Sequence, residues 1–407
     1  MVAGADLGPH DAKARRATRW LALLCVLLVT HGSLYPWQFA WPASLGAAWH
    51  DMLYQRSWWT GLGDVVGNVV LFVPVGVLGW ALLRPLRWPP LSRAAAMLGA
   101  GVAFAFALQV AQIFVPRRDA AWSDVVWNTL GLLAGPLLAA PLWRLPTGRL
   151  QARALRLPLT FVVLWLLLEW WPFVPRLDWQ HVKDALKPLL LNPQWRTLSA
   201  LEAALSLGLV GLMLQPLRQR AGWLIVLPLA ATIGALTIDG RVLTLSRSVG
   251  WLCGLLLAWQ AWRLRPRVAA ALGASVALLW FTVDELRPFQ LGESLAEFQW
   301  VPFVALLQGS LQANTLALTW QLFWLGAVMV LLHGISAPAS AVAFALSLWA
   351  LALELLQMLL PGRVPDITPA LLPWLWCLAL PLLHVSLPPA VTKSVPRVQI
   401  NPPGHAP

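Results

Sequence analysis

Charged residues are scarce in this chain: only 11% of its 407 residues are charged, whereas 59% are hydrophobic. So little charge cannot cover the surface of a water-soluble fold of this length, which excludes a soluble globular protein and makes lipid the expected solvent. Acidic residues are the rarer kind, with 17 Asp and Glu against 29 Lys and Arg. The placement of the basic residues is therefore informative about topology.

Cysteine is equally rare, and Cys25, Cys253 and Cys377 all fall within apolar segments. A small apolar side chain is the ordinary role of cysteine there, so we infer no disulfide and no metal site. The seven His residues are scattered, and the chain has neither a His-x-x-x-His pair nor a Gly-x-Ser-x-Gly nucleophile motif. We expect no cofactor, and catalysis is the least favoured function.

Long apolar segments are what the chain has in abundance. Such segments, about twenty residues long, predict membrane-spanning helices, and many of the 27 Trp residues stand at their ends, where an aromatic belt belongs. The twelve segments lie at about 18–35, 64–83, 93–114, 122–143, 156–171, 198–215, 222–238, 245–262, 268–284, 311–333, 338–360 and 369–385. They predict an all-α polytopic integral membrane protein of about 12 transmembrane helices.

The basic residues cluster in alternate loops. If the N-terminus lies in the cytoplasm, 18 of the 29 basic residues fall on the inner side, against only Asp6 and Asp11 among the acidic ones. The positive-inside rule then places both termini in the cytoplasm. Because these residues mark topology, we expect membrane lipids as partners and no nucleic acid.

The chain contains an internal repeat. An offset of 245 residues relates Gln112 and Arg118 to Gln357 and Arg363, and a fainter match at an offset of 123 relates Arg118 to Arg241. We therefore predict three tandem four-helix modules separated by basic linkers. The predicted domains are a first module (1–148), a degenerate module (149–265), a further module (266–388) and a Pro-rich cytoplasmic tail (389–407).

Polar side chains gather at the predicted outer ends of the helices, where charged groups are costly and often functional. In the first module they form three pairs at helical spacing, so that each pair shares a face. Arg118, in the loop after the third helix, can pair with Asp124 or offer its donors to a phosphate or carboxylate. The candidate ligand-binding residues are the pairs Asp64 with Asn68, Gln109 with Gln112 and Asp124 with Asn128, together with Arg118, Glu354, Gln357, Arg363 and Asp366.

A structural role for the same residues carries equal weight. Ser123 has the character of a helix N-cap with Asp124 in the first turn, which stabilises a helix start, and polar residues also hold membrane helices together. The middle module retains Arg241 but has Thr232 and Ala235 where the other modules have amide or acid side chains. The sequence therefore favours a scaffold role for the middle module.

The first module contains a recognisable set of motifs, namely Asn68-Val-Val-Leu71-Phe72-Val-Pro74-Val-Gly76, Gln112, Arg118, Asp124, Asn128 and Gly131. In these residues it resembles the VanZ-like family of bacterial membrane proteins. The match is strong over 34–135 and weaker over 320–369; it departs at Gln109, where the family has Glu, and at Pro369 and Pro373, where the family has Asp and Asn. The resemblance implies a four-helix unit in the bacterial inner membrane. The founding example is linked to low-level resistance to teicoplanin, but the resemblance implies no particular activity.

Three functions are consistent with these features. The first is an envelope protein that binds a lipid-linked or anionic cell-envelope ligand at the outward-facing Arg/Asp/Asn/Gln site. The alternative is a transporter of a small solute or lipid, because twelve helices with parallel repeats are a transporter arrangement. An intramembrane enzyme that uses Glu354 or Asp124 as acid or base ranks third. The identity of the ligand, the oligomeric state and the active module stay open.

Overall fold

The computed structural model describes residues 9–55, 62–86, 88–116, 118–144, 155–217, 220–308, 311–335 and 337–383. Side chains are described for the same residues except 9–11, 55, 62–64, 138–144, 308 and 311–312. The described residues are helical apart from loops and two isolated bridges, Pro175 with Ile238 and Gln299 with Asp366. This confirms the all-α prediction. The predicted boundary at 148/149 and the tail at 389–407 lie outside the described residues.

The helices form three groups in chain order. The N-terminal group comprises α1 (Pro9–Leu34), α2 (Leu45–His50), α3 (Leu62–Leu83), α4 (Pro90–Gln112) and α5 (Trp122–Arg144), with a π-helical turn at Asp51–Gln55. The middle group comprises α6 (Arg156–Trp170), α7 (Trp179–Leu190), α8 (Thr197–Met213), α9 (Arg220–Thr237) and α10 (Leu245–Ala261). The C-terminal group comprises α11 (Pro266–Glu285), α12 (Val304–Gln308), α13 (Leu311–Gly334), α14 (Ala339–Gln357) and α15 (Thr368–Leu383). In each group a long helix, a short helix and three longer helices follow one another.

Seven helices of the described residues are long and apolar enough to cross a bilayer, namely α1, α3, α4, α9, α11, α13 and α14. Two further apolar helices, α8 and α15, are shorter. The membrane character predicted from composition is therefore confirmed. The count of twelve spans stays a prediction, although a helix is found at each of the twelve apolar segments.

Local sequence explains where several helices begin. The side chain of Asp178 accepts a hydrogen bond from the backbone N–H of His181 and caps α7, while Thr244 accepts from Arg247 N–H and caps α10. Pro266 occupies the first position of α11. Proline suits this position because it has no backbone N–H to satisfy and its ring holds φ near the helical value. The Thr244 cap fixes the start of α10, the helix that carries Arg247.

Close helix packing depends on glycine at two corresponding positions. A methyl group at Gly131 of α5 would lie 2.2 Å from the carbonyl oxygen of Val69 in α3, and one at Gly254 of α10 would lie 2.8 Å from that of Ala204 in α8. Only glycine permits such an approach of two backbones. The second and fourth long helices therefore pack in the same way in the N-terminal and middle groups.

The C-terminal group contacts both other groups. The ring of Phe161 in α6 stacks on that of Trp376 in α15 at 5.3 Å, and the middle and C-terminal groups share one hydrophobic core. The N-terminal group has a core of its own, centred on Phe72 and Leu132, and α1 packs against α15. A ring nitrogen of His31 at the end of α1 lies 3.1 Å from the carbonyl oxygen of Pro302.

Candidate functional site

Arg118 holds the end of α1 together. Its Nε donates to the carbonyl oxygen of Tyr35 at 3.0 Å and its Nη2 to that of Gly32 at 2.7 Å. The last carbonyl groups of a helix have no partner within the helix, and a cation there also interacts favourably with the helix dipole. Two donor groups of Arg118 thus serve the backbone.

The same contact occurs in the other two groups. Arg241 donates to the carbonyl oxygens of Trp171 and Leu168 at the end of α6, and Arg363 donates to those of Arg287 and Asp284 at the end of α11. Burial lowers the pKa of Arg118 and Arg241, yet an Arg side chain stays charged at neutral pH. The described contacts therefore support a structural role for the three arginines.

A polar cluster in the N-terminal group centres on Asp124. Its carboxylate accepts from Asn68 Nδ2 at 3.1 Å and from Gln109 Nε2 at 3.4 Å, while Gln109 Oε1 accepts from the backbone N–H of Ala121 at 2.9 Å. The structure thus brings three of the predicted residues together, by contacts that link α3, α4 and α5.

The remaining predicted residues of this group have other surroundings. Gln112 donates to the carbonyl oxygen of Ser33 at 2.9 Å and so faces the end of α1. Asn128 is only 3% exposed, and its Oδ1 has no hydrogen-bond partner among the described residues. The side chain of Asp64 lies outside the described part of the chain.

The C-terminal group contains a small cavity of about 240 Å³. All four residues predicted there, Glu354, Gln357, Arg363 and Asp366, line it. Glu354 Oε2 accepts from the backbone N–H of Asp366 at 2.9 Å, which repeats the contact of Gln109 with Ala121 at the offset of 245. An amide and an acid thus serve the same backbone group in the two copies.

Glu285 is a further member of this cavity that the sequence interpretation missed. It accepts from Gln357 Nε2 at 2.7 Å and from Gln321 Nε2 at 3.2 Å, and Arg363 Nη1 lies 3.8 Å away. Its position three residues before Pro288 was the available signal, because Glu169 stands three residues before Pro172. Burial raises the pKa of Asp366, another acidic residue that lines this cavity. With three carboxyl groups and one guanidinium, this cavity is poorly suited to an anion.

The middle group contains a larger cavity, of about 690 Å³. Four basic side chains, those of Lys187, Arg196, Arg241 and Arg247, and a single acidic one, Glu169, line it. The side chain of Glu169 is 6% exposed and forms an ion pair with Arg247 across the helix pair α6 and α10. The cavity is therefore basic overall.

Trp251 lies one turn after Arg247 on α10 and also lines the cavity. It is only 4% exposed, and its Nε1 has no hydrogen-bond partner among the described residues. The guanidinium of Arg247 lies 5.9 Å from the centre of the ring. At the offset of 123 these two residues take the places of Asp124 and Asn128.

The expectation that the middle module is a scaffold stays a prediction, although this group holds the larger of these two cavities. Ala231 and Ala235 line the cavity, and Ala235 corresponds to Gln112 and Gln357 in the other groups. A missing amide indicates a lost site when the sequence is read alone. In three dimensions the small side chain leaves space instead.

Comparison with known proteins bears on the N-terminal group. The family model for VanZ/LLP1 matches residues 20–144, which span α1 to α5 except for the start of α1. Neither the curated proteins nor the solved structures gave a match. The family match agrees with the resemblance carried by Asn68 to Gly76, Arg118 and Asp124. Residues 20–144 of this membrane protein are therefore similar to the VanZ/LLP1 family.

Proposed function

We propose that the chain crosses the bacterial inner membrane twelve times, in three tandem four-helix units with both termini in the cytoplasm. The order of helices, the arginine contact at the end of α1, α6 and α11, and the glycine approach in two groups support the repeat. The distribution of Lys and Arg supports the orientation. In this topology Arg118, Arg241 and Arg363 all lie on the outer side.

We further propose that the protein binds an anionic, lipid-linked ligand of the cell envelope in the cavity of the middle group. The observation that carries this proposal is the lining of that cavity, four basic side chains against one acidic side chain around about 690 Å³. Arg and Lys side chains that line the same cavity are suited to phosphate and carboxylate groups. The volume is in the range of small-molecule sites, about 300–1,000 Å³.

The eleven residues predicted from sequence stay a prediction for this role. In the N-terminal group, the carboxylate of Asp124 already accepts two hydrogen bonds, and Arg118, the single basic residue predicted there, serves the end of α1 as Arg241 serves that of α6. In the C-terminal group, acidic side chains outnumber basic ones around the cavity. These contacts support helix packing better than they support anion binding, which is why we favour the middle cavity.

The experiment compares retention of an anionic and a zwitterionic lipid by purified protein in detergent, measured by native mass spectrometry. We expect phosphatidylglycerol to be retained over phosphatidylcholine of the same chain length, and the preference to fall in the double variant Lys187→Gln/Arg196→Gln. Lys183→Gln is the matched control, because Lys183 lies on the same helix α7 but does not line the cavity.

Equal retention of the two lipids by the native protein would refute the proposal, as would an equal loss in the control and the double variant. Flow of the lipid between leaflets of reconstituted vesicles, abolished by the double variant but not by Lys183→Gln, would favour the transporter alternative.

A further inference from the structure

We propose that the ligand of the middle cavity is a membrane lipid that ends in a phosphate or diphosphate, and that the indole N–H of Trp251 donates a hydrogen bond to it. This inference rests on the proposed function, because it names the class of anion that the same cavity binds. Three observations support the inference: the net positive charge of the cavity, its apolar lining residues and the unpaired indole donor of Trp251.

The charge of the cavity matches a multiply charged head group. The lining residues comprise four cations and one anion, and Asp184, which pairs with Lys187 at 2.6 Å, offsets one further charge. A net charge of about two positive units is left for the ligand. A terminal phosphate carries about 1.5 to 2 negative charges at neutral pH, whereas a phosphodiester head group carries one.

The lining of the cavity is also partly apolar. Pro188, Leu191, Ala231, Ala235 and Val242 line it together with the basic residues. Leu191, at the end of α7, is 76% exposed, and in the proposed topology this short helix lies at the depth of the lipid head groups. A free inorganic anion gains nothing from apolar lining residues, whereas the first carbon atoms of a lipid chain do. These residues therefore favour a lipid phosphate over inorganic phosphate.

The indole N–H of Trp251 is a hydrogen-bond donor without an acceptor among the described residues. A buried polar group without a partner costs free energy, and native structures contain few of them. Trp251 is one of the lining residues, its buried Nε1 is unpaired among the described residues, and the guanidinium of Arg247 lies 5.9 Å from the centre of its ring. A phosphate oxygen held by Arg247 is an acceptor of the required chemistry, and ligand binding would satisfy the donor.

The middle group alone has this pair of residues at the corresponding positions. Arg247 and Trp251 stand where the N-terminal group has Asp124 and Asn128 and where the C-terminal group has Pro369 and Pro373. An acid, or a proline without any donor, cannot hold a phosphate. We therefore expect one such lipid per chain.

The test uses the full-length protein in detergent and native mass spectrometry with three probes: phosphatidic acid, phosphatidylglycerol of the same chains, and inorganic phosphate as competitor. We expect one molecule of phosphatidic acid per chain, bound about tenfold more tightly than phosphatidylglycerol. Millimolar inorganic phosphate should leave it in place. Trp251→Phe keeps the aromatic ring but removes the donor, so the affinity for phosphatidic acid should fall about tenfold.

Trp280→Phe is the matched control. Trp280 is 6% exposed and its Nε1 is likewise unpaired among the described residues, but it does not line the cavity. We expect the Trp280→Phe variant to bind phosphatidic acid with the affinity of the native protein. An equal loss in both variants would overturn the role of Trp251. If Trp251→Phe does not fold, the double variant Lys187→Gln/Arg196→Gln with the same three probes decides the head-group claim.

Two outcomes separate this inference from the proposed function. If phosphatidic acid and phosphatidylglycerol bind equally well, and both better than phosphatidylcholine, the anion site stands but the terminal phosphate is wrong. If inorganic phosphate displaces the lipid at micromolar concentration, the ligand is a free anion and the lipid assignment is wrong.

Discussion

The middle and C-terminal groups hold cavities at corresponding places, and the two cavities differ in charge and in size. Arg241 and Arg363 are equivalent lining residues, as are Glu169 and Glu285. The middle cavity is basic and measures about 690 Å³, whereas the C-terminal cavity is acidic and measures about 240 Å³. Two groups with the same order of helices thus hold opposite electrostatic environments beside equivalent arginines.

Two substitutions account for part of the difference. Ala235 stands where the C-terminal group has Gln357. Its methyl group leaves open the space that a glutamine side chain would occupy. Arg247 stands where the C-terminal group has Pro369, so a cation is added. In the C-terminal group Gln357 instead donates to Glu285. The carboxylate that pairs with Arg247 in one group therefore pairs with amides in the other.

The largest effect is expected when the Arg247–Glu169 pair is broken from one side. Arg247→Ala leaves the Glu169 carboxylate buried without its cation, which should lower the free energy of unfolding by about 3–5 kcal/mol. The double variant Glu169→Gln/Arg247→Gln has no unpaired charge and should retain most of the stability. Detergent-induced unfolding followed by Trp fluorescence measures both. A single variant no less stable than the double variant would show that the pair is not coupled.

A smaller effect is expected at Glu354, which tests the C-terminal side of the comparison. Glu354→Ala leaves the backbone N–H of Asp366 without its acceptor, at a cost of about 1–3 kcal/mol. Glu354→Gln keeps an oxygen at this place, as Gln109 does in the N-terminal group, and should be close to native in the same unfolding assay. Equal losses for Ala and Gln would mean that the charge of Glu354, and not its acceptor oxygen, is required.

Ala235→Gln tests whether the small side chain makes the middle cavity. The variant installs the amide that the other two groups have, and we expect retention of anionic lipid to fall about tenfold while the protein stays folded. Gln357→Ala is the reciprocal change and should enlarge the C-terminal cavity without creating anionic-lipid binding, since Pro369 provides no cation. Native retention by Ala235→Gln would show that the ligand binds elsewhere.

The smallest effect is expected for Lys187→Gln alone. Lys187 is half-exposed and already paired with Asp184, so its contribution to anion binding is screened by water and salt. We expect the affinity for anionic lipid to fall by no more than about fivefold, and the difference from the native protein to vanish at high salt. A large loss that persists in high salt would place Lys187 deeper in the site than its exposure indicates.

The helices could be predicted from sequence because they depend on local periodicity. The repeat, which was inferred from single residues at fixed offsets, stays a prediction. The equivalence of Arg118 and Arg363 was visible in this way. The contacts of Arg118 were not, because the carbonyl oxygens of Gly32 and Tyr35 lie more than eighty residues away in the chain. A backbone acceptor leaves no trace in the sequence.

The middle cavity could not be predicted for a different reason. Its evidence is the shortness of Ala235, which has no meaning until neighbouring helices are placed around it. Glu169 and Arg247 are 78 residues apart, so nothing in the sequence indicates that they form a pair. Trp251 was one of 27 Trp residues, and it is distinguished by a buried, unpaired donor together with a place in the cavity lining.

The most direct measurement of the central claim is an electron cryomicroscopy structure of the protein in nanodiscs that contain phosphatidic acid. We predict head-group density in the middle cavity, within hydrogen-bond distance of Trp251 Nε1 and the guanidinium of Arg247, and no such density in Trp251→Phe/Arg196→Gln. A middle cavity without lipid density in the native protein, with a head group bound instead beside Arg118 or Arg363, would contradict the account.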